Sequence, residues 1–106
     1  MIDAEIIKNE TGNVVGFTVK NHGEGKVCAA VSLLTINTVN SIESFANDDL
    51  ACEYDEKNLG YITFSLTEPN FRSVEAGVLL DAMLLGLTSV LEKYPDEISI
   101  KYVTRK

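Results

Sequence analysis

The sequence predicts an α+β domain: a two-layer, largely antiparallel sheet with two helices on one face, in the order ββαββαβ. Three observations carry that expectation. Stretches that alternate apolar with polar residues come in hairpin-like pairs, each pair leads into a stretch with apolar residues at helical spacing, and a last alternating stretch closes the chain.

Ile2 to Lys8 alternates loosely, Ile2, Ala4 and Ile6 against Asp3, Glu5 and Ile7, and runs into Asn9-Glu10-Thr11-Gly12-Asn13, residues that suit a tight turn. Val14 to Lys20 returns as the second strand of a hairpin, with Val15, Phe17 and Val19 on one face and Val14, Gly16 and Thr18 on the other. His22 ends it. The first helix is expected from about Lys26 to Ser44, its inward stripe being Val27, Ala30, Val31, Leu34, Val39 and Ile42 with Ser and Thr on the flanks. Its many β-branched residues weaken its own propensity, so it depends on packing against a sheet. A strand in its second half is the alternative.

Asn47-Asp48-Asp49 is turn-like, Leu50 to Asp55 alternates, Glu56 to Gly60 breaks the run, and Tyr61 to Leu66 alternates again. That is a second antiparallel hairpin, its turn at Asn58 to Gly60 and Ile62, Phe64 and Leu66 buried. Cys52, mid-strand, reads as a small core residue. Pro69-Asn70 stops the sheet, Asn70 or Ser73 caps the second helix, and Val74, Val78, Leu80, Leu84, Leu87, Val90 and Leu91 lead up to Tyr94. Leu79, Met83 and Leu85 widen the apolar stripe, which calls for a second surface, either a partner copy or the first helix. Pro95-Asp96 ends the helix and Ile98 to Val103 alternates as the last strand before a basic tail.

A chain of 106 residues that is 45% hydrophobic suits one core, so a single domain over residues 1–106 is expected. The start is neither basic nor apolar, and the apolar run Ala76 to Val90 contains Asp81 and falls short of a bilayer span; no membrane association and a cytoplasmic location are expected. The two cysteines read as free thiols with no metal-ligand spacing, so neither metal nor cofactor is expected. A formal charge of −7 with nine scattered Lys and Arg residues argues against direct nucleic-acid binding and suits a basic protein partner. Gly23-Glu24-Gly25-Lys26 lacks the ending and spacing of a phosphate loop, and the carboxylate pairs Asp48 and Asp49, Glu53 and Asp55 read as solvated charges.

The chemistry concentrates between Asn21 and Ser32. There a strand stops, glycines at 23 and 25 allow a tight turn, and a helix begins with Cys28 in its first turn. The unpaired N–H groups and positive dipole end of a helix start favour a thiolate, the form of cysteine that attacks a carbonyl carbon. His22, the single histidine, could sit across the turn as proton partner. Backbone N–H groups near Cys28 and Ala29 are placed to hold an oxyanion, and Ser32, one turn on, to line the site.

Val27-Cys28-Ala29-Ala30-Val31-Ser32, preceded by Val15-Gly16-Phe17-Thr18-Val19-Lys20-Asn21-His22, resembles the ribosomal-processing cysteine protease family, whose pattern is a strand ending in Gly-His, a loop, and Val-Cys-Ala-Ala-Val-Ser. Leu84-Leu85-Gly86-Leu87 and Glu92-Lys93-Tyr94-Pro95-Asp96 resemble the family's second helix and its exit, so the likeness covers nearly the whole chain. Asn21 replaces the family's glycine, and the loop from His22 to Cys28 is shorter than usual. The resemblance implies a cysteine endopeptidase in which Cys28 is the nucleophile and His22 the general base and acid, with Gly23, Ala29 and Ser32 as substrate-binding or oxyanion positions. It also implies the substrate, the N-terminal extension of a precursor of large-subunit ribosomal protein twenty-seven, cut after an aromatic pair, and a homodimer. A non-catalytic peptide-binding or ribosome-associated module on the same fold is the rival reading.

Overall fold

The computed structural model describes every residue except 21–24, 55–60, 69 and 106. Its elements are β1 (Ile2–Lys8), β2 (Val14–Lys20), α1 (Lys26–Phe45), β3 (Leu50–Tyr54), β4 (Ile62–Leu66), α2 (Val74–Lys93) and β5 (Ile98–Thr104), the expected ββαββαβ order. They form one five-stranded sheet in the order β3-β4-β2-β1-β5. Every neighbouring pair is antiparallel except β1 with β5, which run parallel. The expected turn at Asn58 to Gly60 lies outside the described residues.

Register puts one face of the sheet in the core. Ala4 lies opposite Val19, Ile6 opposite Phe17, and Phe17 opposite Phe64, whose rings stack with centroids 5.4 Å apart. Ile2, Val15, Ile62 and Leu66 complete that buried face. The other face carries Asp3, Glu5, Lys20, Ser65 and Lys101, and its Thr18 and Thr63 hydroxyls hydrogen-bond at 2.9 Å.

The β-branched first helix does form, supported by the sheet as its composition requires. Its buried stripe differs from the expected one. Thr35 and Thr38 are buried with Val27, Val31, Val39 and Ile42, while Ala30 and Leu34 are half-covered. Burial is tolerated because the Thr35 hydroxyl donates to the Val31 carbonyl at 2.9 Å and the Thr38 hydroxyl to the Leu34 carbonyl at 2.6 Å. At the helix crossing, a Cβ on Gly86 would stand 2.9 Å from Leu34 Cδ2, so the glycine sets how closely α1 and α2 approach.

The phase of α2 also departs from expectation. Ala76, Gly77, Leu80, Met83 and Leu87 face the core, so Met83 belongs to the intrachain packing, whereas Val74 and Val78 point outward. A helix apolar on every side gives its sequence no phase; contact with β2, β5 and α1 selects one. At 20 residues α2 is long and apolar enough, by length and composition, to cross a bilayer, which corrects the shorter run read from the sequence. Here it lies along the sheet.

Ser73 is the cap of α2, its hydroxyl oxygen accepting from the Ala76 N–H at 3.0 Å. Asp48, in the α1–β3 connection, holds that cap by accepting from the Ser73 N–H at 2.8 Å and from its hydroxyl. Arg72 braces the neighbouring corner, donating to the Val14 carbonyl at 3.1 Å and pairing with Asp81 at 3.0 Å. Asp48→Ala should lower unfolding free energy by about 2 kcal/mol, the scale of charge-assisted hydrogen bonds lost from one partner. Urea unfolding of Asp48→Ala, Ser73→Ala and the double variant checks this, the double variant falling well short of the sum.

Candidate active site

Gly25 precedes α1 with φ of 91°, a left-handed backbone that a β-carbon disfavours, and its conformation lets the helix start at Lys26. Cys28 therefore stands in the first turn, as its sequence position implies. The earliest helical hydrogen bond runs from the Ala29 N–H to the Gly25 carbonyl at 3.1 Å. That engages the Ala29 donor and leaves the N–H groups of Lys26, Val27 and Cys28 as the ones with no carbonyl inside the helix to bond. Of the two N–H groups named from the sequence as oxyanion donors, that of Ala29 is engaged within the helix and that of Cys28 has no carbonyl inside it to bond. No acidic side chain occupies the first turn to compete for those donors.

Cys28 is a free, half-buried thiol packed against the edge of the core, reachable from solvent and held in place. Ser32 lies one turn later on the same side of α1, also half-buried. Ala29 is exposed. His22 and Gly23 lie outside the described residues, together with Asn21 and Glu24. Among the described residues, no three His, Cys, Asp or Glu side chains gather as metal ligands would.

The second thiol sits in a different environment. Cys52 lies opposite Phe64 on the core side of β3, half-buried, and burial pushes its thiol up; a hydrogen bond with Tyr54 works the other way, and the charges of Glu43 and Glu53 add to the rise. Tyr54 is pushed up to about 12, first by burial and then by its hydrogen bond with Cys52. Glu43 and Tyr54 were not among the residues singled out from the sequence. The helical spacing of Glu43 from Cys28 was the available signal, but only tertiary structure brings β3 alongside it.

Comparison with known proteins bears on this site. Residues 1–99 match the family model described as cysteine protease Prp. A curated relative from Staphylococcus aureus, the ribosomal processing cysteine protease Prp, is 28% identical over 108 aligned positions, which cover 96% of this chain and 99% of the relative. The crystal structure of the S. aureus protease with a covalently linked product peptide superposes with a TM-score of 0.87 at 27% identity, covering 97% of this chain and all of that one. A Streptococcus mutans protein of known structure is 31% identical with a TM-score of 0.84, covering 99% of this chain and 96% of its own.

The Cys52 thiol should therefore ionise at higher pH than an ordinary cysteine. Alkylation of Cys52 by iodoacetamide, which follows the thiolate, is expected to reach half its maximal rate at higher pH than an unstructured cysteine peptide. Tyr54→Phe removes a contact that favours the Cys52 thiolate, so it should move that midpoint further up; mass mapping of labelled peptides across a pH series reads both.

Proposed function

The chain belongs to the cysteine protease Prp family, and on that premise we propose that it removes the N-terminal extension of large-subunit ribosomal protein twenty-seven in the cytoplasm, with Cys28 as nucleophile and His22 as its proton partner. The observation that carries the assignment of Cys28 is its place in the first turn of α1 behind the Gly25 turn, inside the family match. Cysteine proteolysis requires an accessible thiol beside preorganised donors, and Cys28 has both.

In this reading the Cys28 thiolate adds to the scissile carbonyl, forming the carbon–sulfur bond, and the oxyanion is held by the N–H groups at the helix start. The imidazolium of His22 gives its proton to the leaving amine as the carbon–nitrogen bond breaks, leaving a thioester. Water, deprotonated by the now neutral His22, hydrolyses the thioester and restores the thiol. Ser32 and Gly23 line the peptide. With fewer residues between His22 and Cys28 than is usual in the family, ground-state binding is expected to be the weaker part of catalysis.

The same reading includes a homodimer. Val74, Val78 and Leu85 lie along one strip of α2 at 80%, 62% and 70% exposure, an apolar surface outside the intrachain core.

Incubation with the uncleaved ribosomal protein precursor should yield one specific cut, and none with a version lacking the extension. Cys28→Ala should lower kcat by about four orders of magnitude or more, and His22→Ala by at least about a hundredfold. If His22→Ala keeps parental activity while Cys28→Ala has none, the histidine assignment falls; if the parent protein does not cleave, the substrate assignment falls. Sedimentation at tens of micromolar should show a dimer for the parent and a monomer for Leu85→Asp, since a charge there would be desolvated by the interface.

A further inference from the structure

β3 forms one free edge of the sheet, with no neighbour beyond it among the described residues. Its register tells which backbone groups are spare. The Thr67 N–H donates to the Asp49 carbonyl at 3.0 Å, which makes Leu50 and Leu66 a non-hydrogen-bonded pair. By strict alternation, Ala51 and Glu53 spend their N–H and C=O groups on β4, while those of Leu50, Cys52 and Tyr54 point off the edge. The side chains of the same three residues face the helix layer, opposite Leu66, Phe64 and Ile62.

Between this edge and α1 lies a cleft of about 630 Å³ lined by Glu43, Ala46, Leu50, Cys52 and Tyr54. Cys28, Ser32, Ile36 and Glu43 follow one another at helical spacing along a single strip of α1, so the flank that reaches this cleft at Glu43 is the flank that carries Cys28. Along the helix axis the two are about 22 Å apart. An extended peptide covers that distance in about six or seven residues.

We propose that the free edge of β3 binds the substrate peptide as an added strand, its backbone pairing with the outward N–H and C=O groups of Leu50, Cys52 and Tyr54 and alternate side chains entering the cleft against α1. The inference rests on the protease reading above and extends it. Residues near the scissile bond meet the Cys28 end of the flank, and residues about six or seven positions away are held by main-chain pairing. Affinity then depends on peptide length and backbone N–H groups, while side-chain selection is confined to every second position.

The test uses a synthetic peptide carrying the precursor's extension and cleavage site. Cys52→Pro removes an N–H that makes no bond to β4, a position where an edge strand tolerates proline. It should raise KM about tenfold, the scale of one lost hydrogen bond, with a much smaller change in kcat. In parallel, peptides N-methylated at single successive positions are titrated against Cys28→Ala protein by fluorescence anisotropy. Far from the scissile bond, affinity losses should recur at every second residue. This series does not depend on Cys52→Pro folding. Cleavage by the parent protein with no alternation in the series and an unchanged KM in folded Cys52→Pro overturns edge binding and leaves the protease reading intact. A parent protein that neither cleaves nor binds the peptide overturns both.

Discussion

The handedness of chain crossovers governs where everything else in this molecule lies. α1 carries the chain from β2 across β4 to β3, and α2 carries it from β4 across β2 and β1 to β5. Each joins parallel strands, and such crossovers are right-handed. β2 and β4 are antiparallel neighbours, and their crossovers depart in opposite lateral directions. Reversing both strand direction and lateral direction leaves the face unchanged, so both helices must settle on the same side. The buried and polar faces of the sheet follow from that single requirement.

Two helices on one face share it unequally. α1 meets the core along Val27, Val31 and Ile42 and approaches α2 at Leu34, where Gly86 admits close contact. Its remaining flank runs from Cys28 to Glu43, and at Glu43 it borders the cleft beside β3. One helix thus supplies a packed side that fixes its position and an open side that presents a thiol. The threonines within the packed side complete their hydrogen bonds inside the helix and demand nothing from the sheet.

The two cysteines occupy different environments. Both are half-buried and free. Cys28 sits where a helix begins with unengaged N–H groups and no acidic neighbour in the first turn, a setting that suits nucleophilic attack. Cys52 lies on a strand beside Glu43 and Glu53, where burial and negative charge oppose its ionisation. A pairwise motif search would treat them alike.

The sequence by itself determined the element order, the two hairpin-forming pairs, the faces of β2 and β4, and the position of Cys28 in a first helical turn. Each of these is local: alternation, glycine placement and capping act over a few residues, and Ser73 was among the residues expected to cap α2. The match of residues 1–99 to the Prp family agrees with the likeness carried by Val27 to Ser32. Tertiary structure alone decided the parallel pairing of β5 with β1, the burial of Thr35 and Thr38, and the outward turn of Val74 and Val78. It also decided that the N–H of Ala29 is engaged and that Glu43 and Tyr54 share a cleft with Cys52. In a helix apolar all round, or at a strand edge, the residues carry no local preference strong enough to choose a partner. The choice is made by whichever arrangement buries the most apolar surface while leaving the fewest backbone groups unpaired.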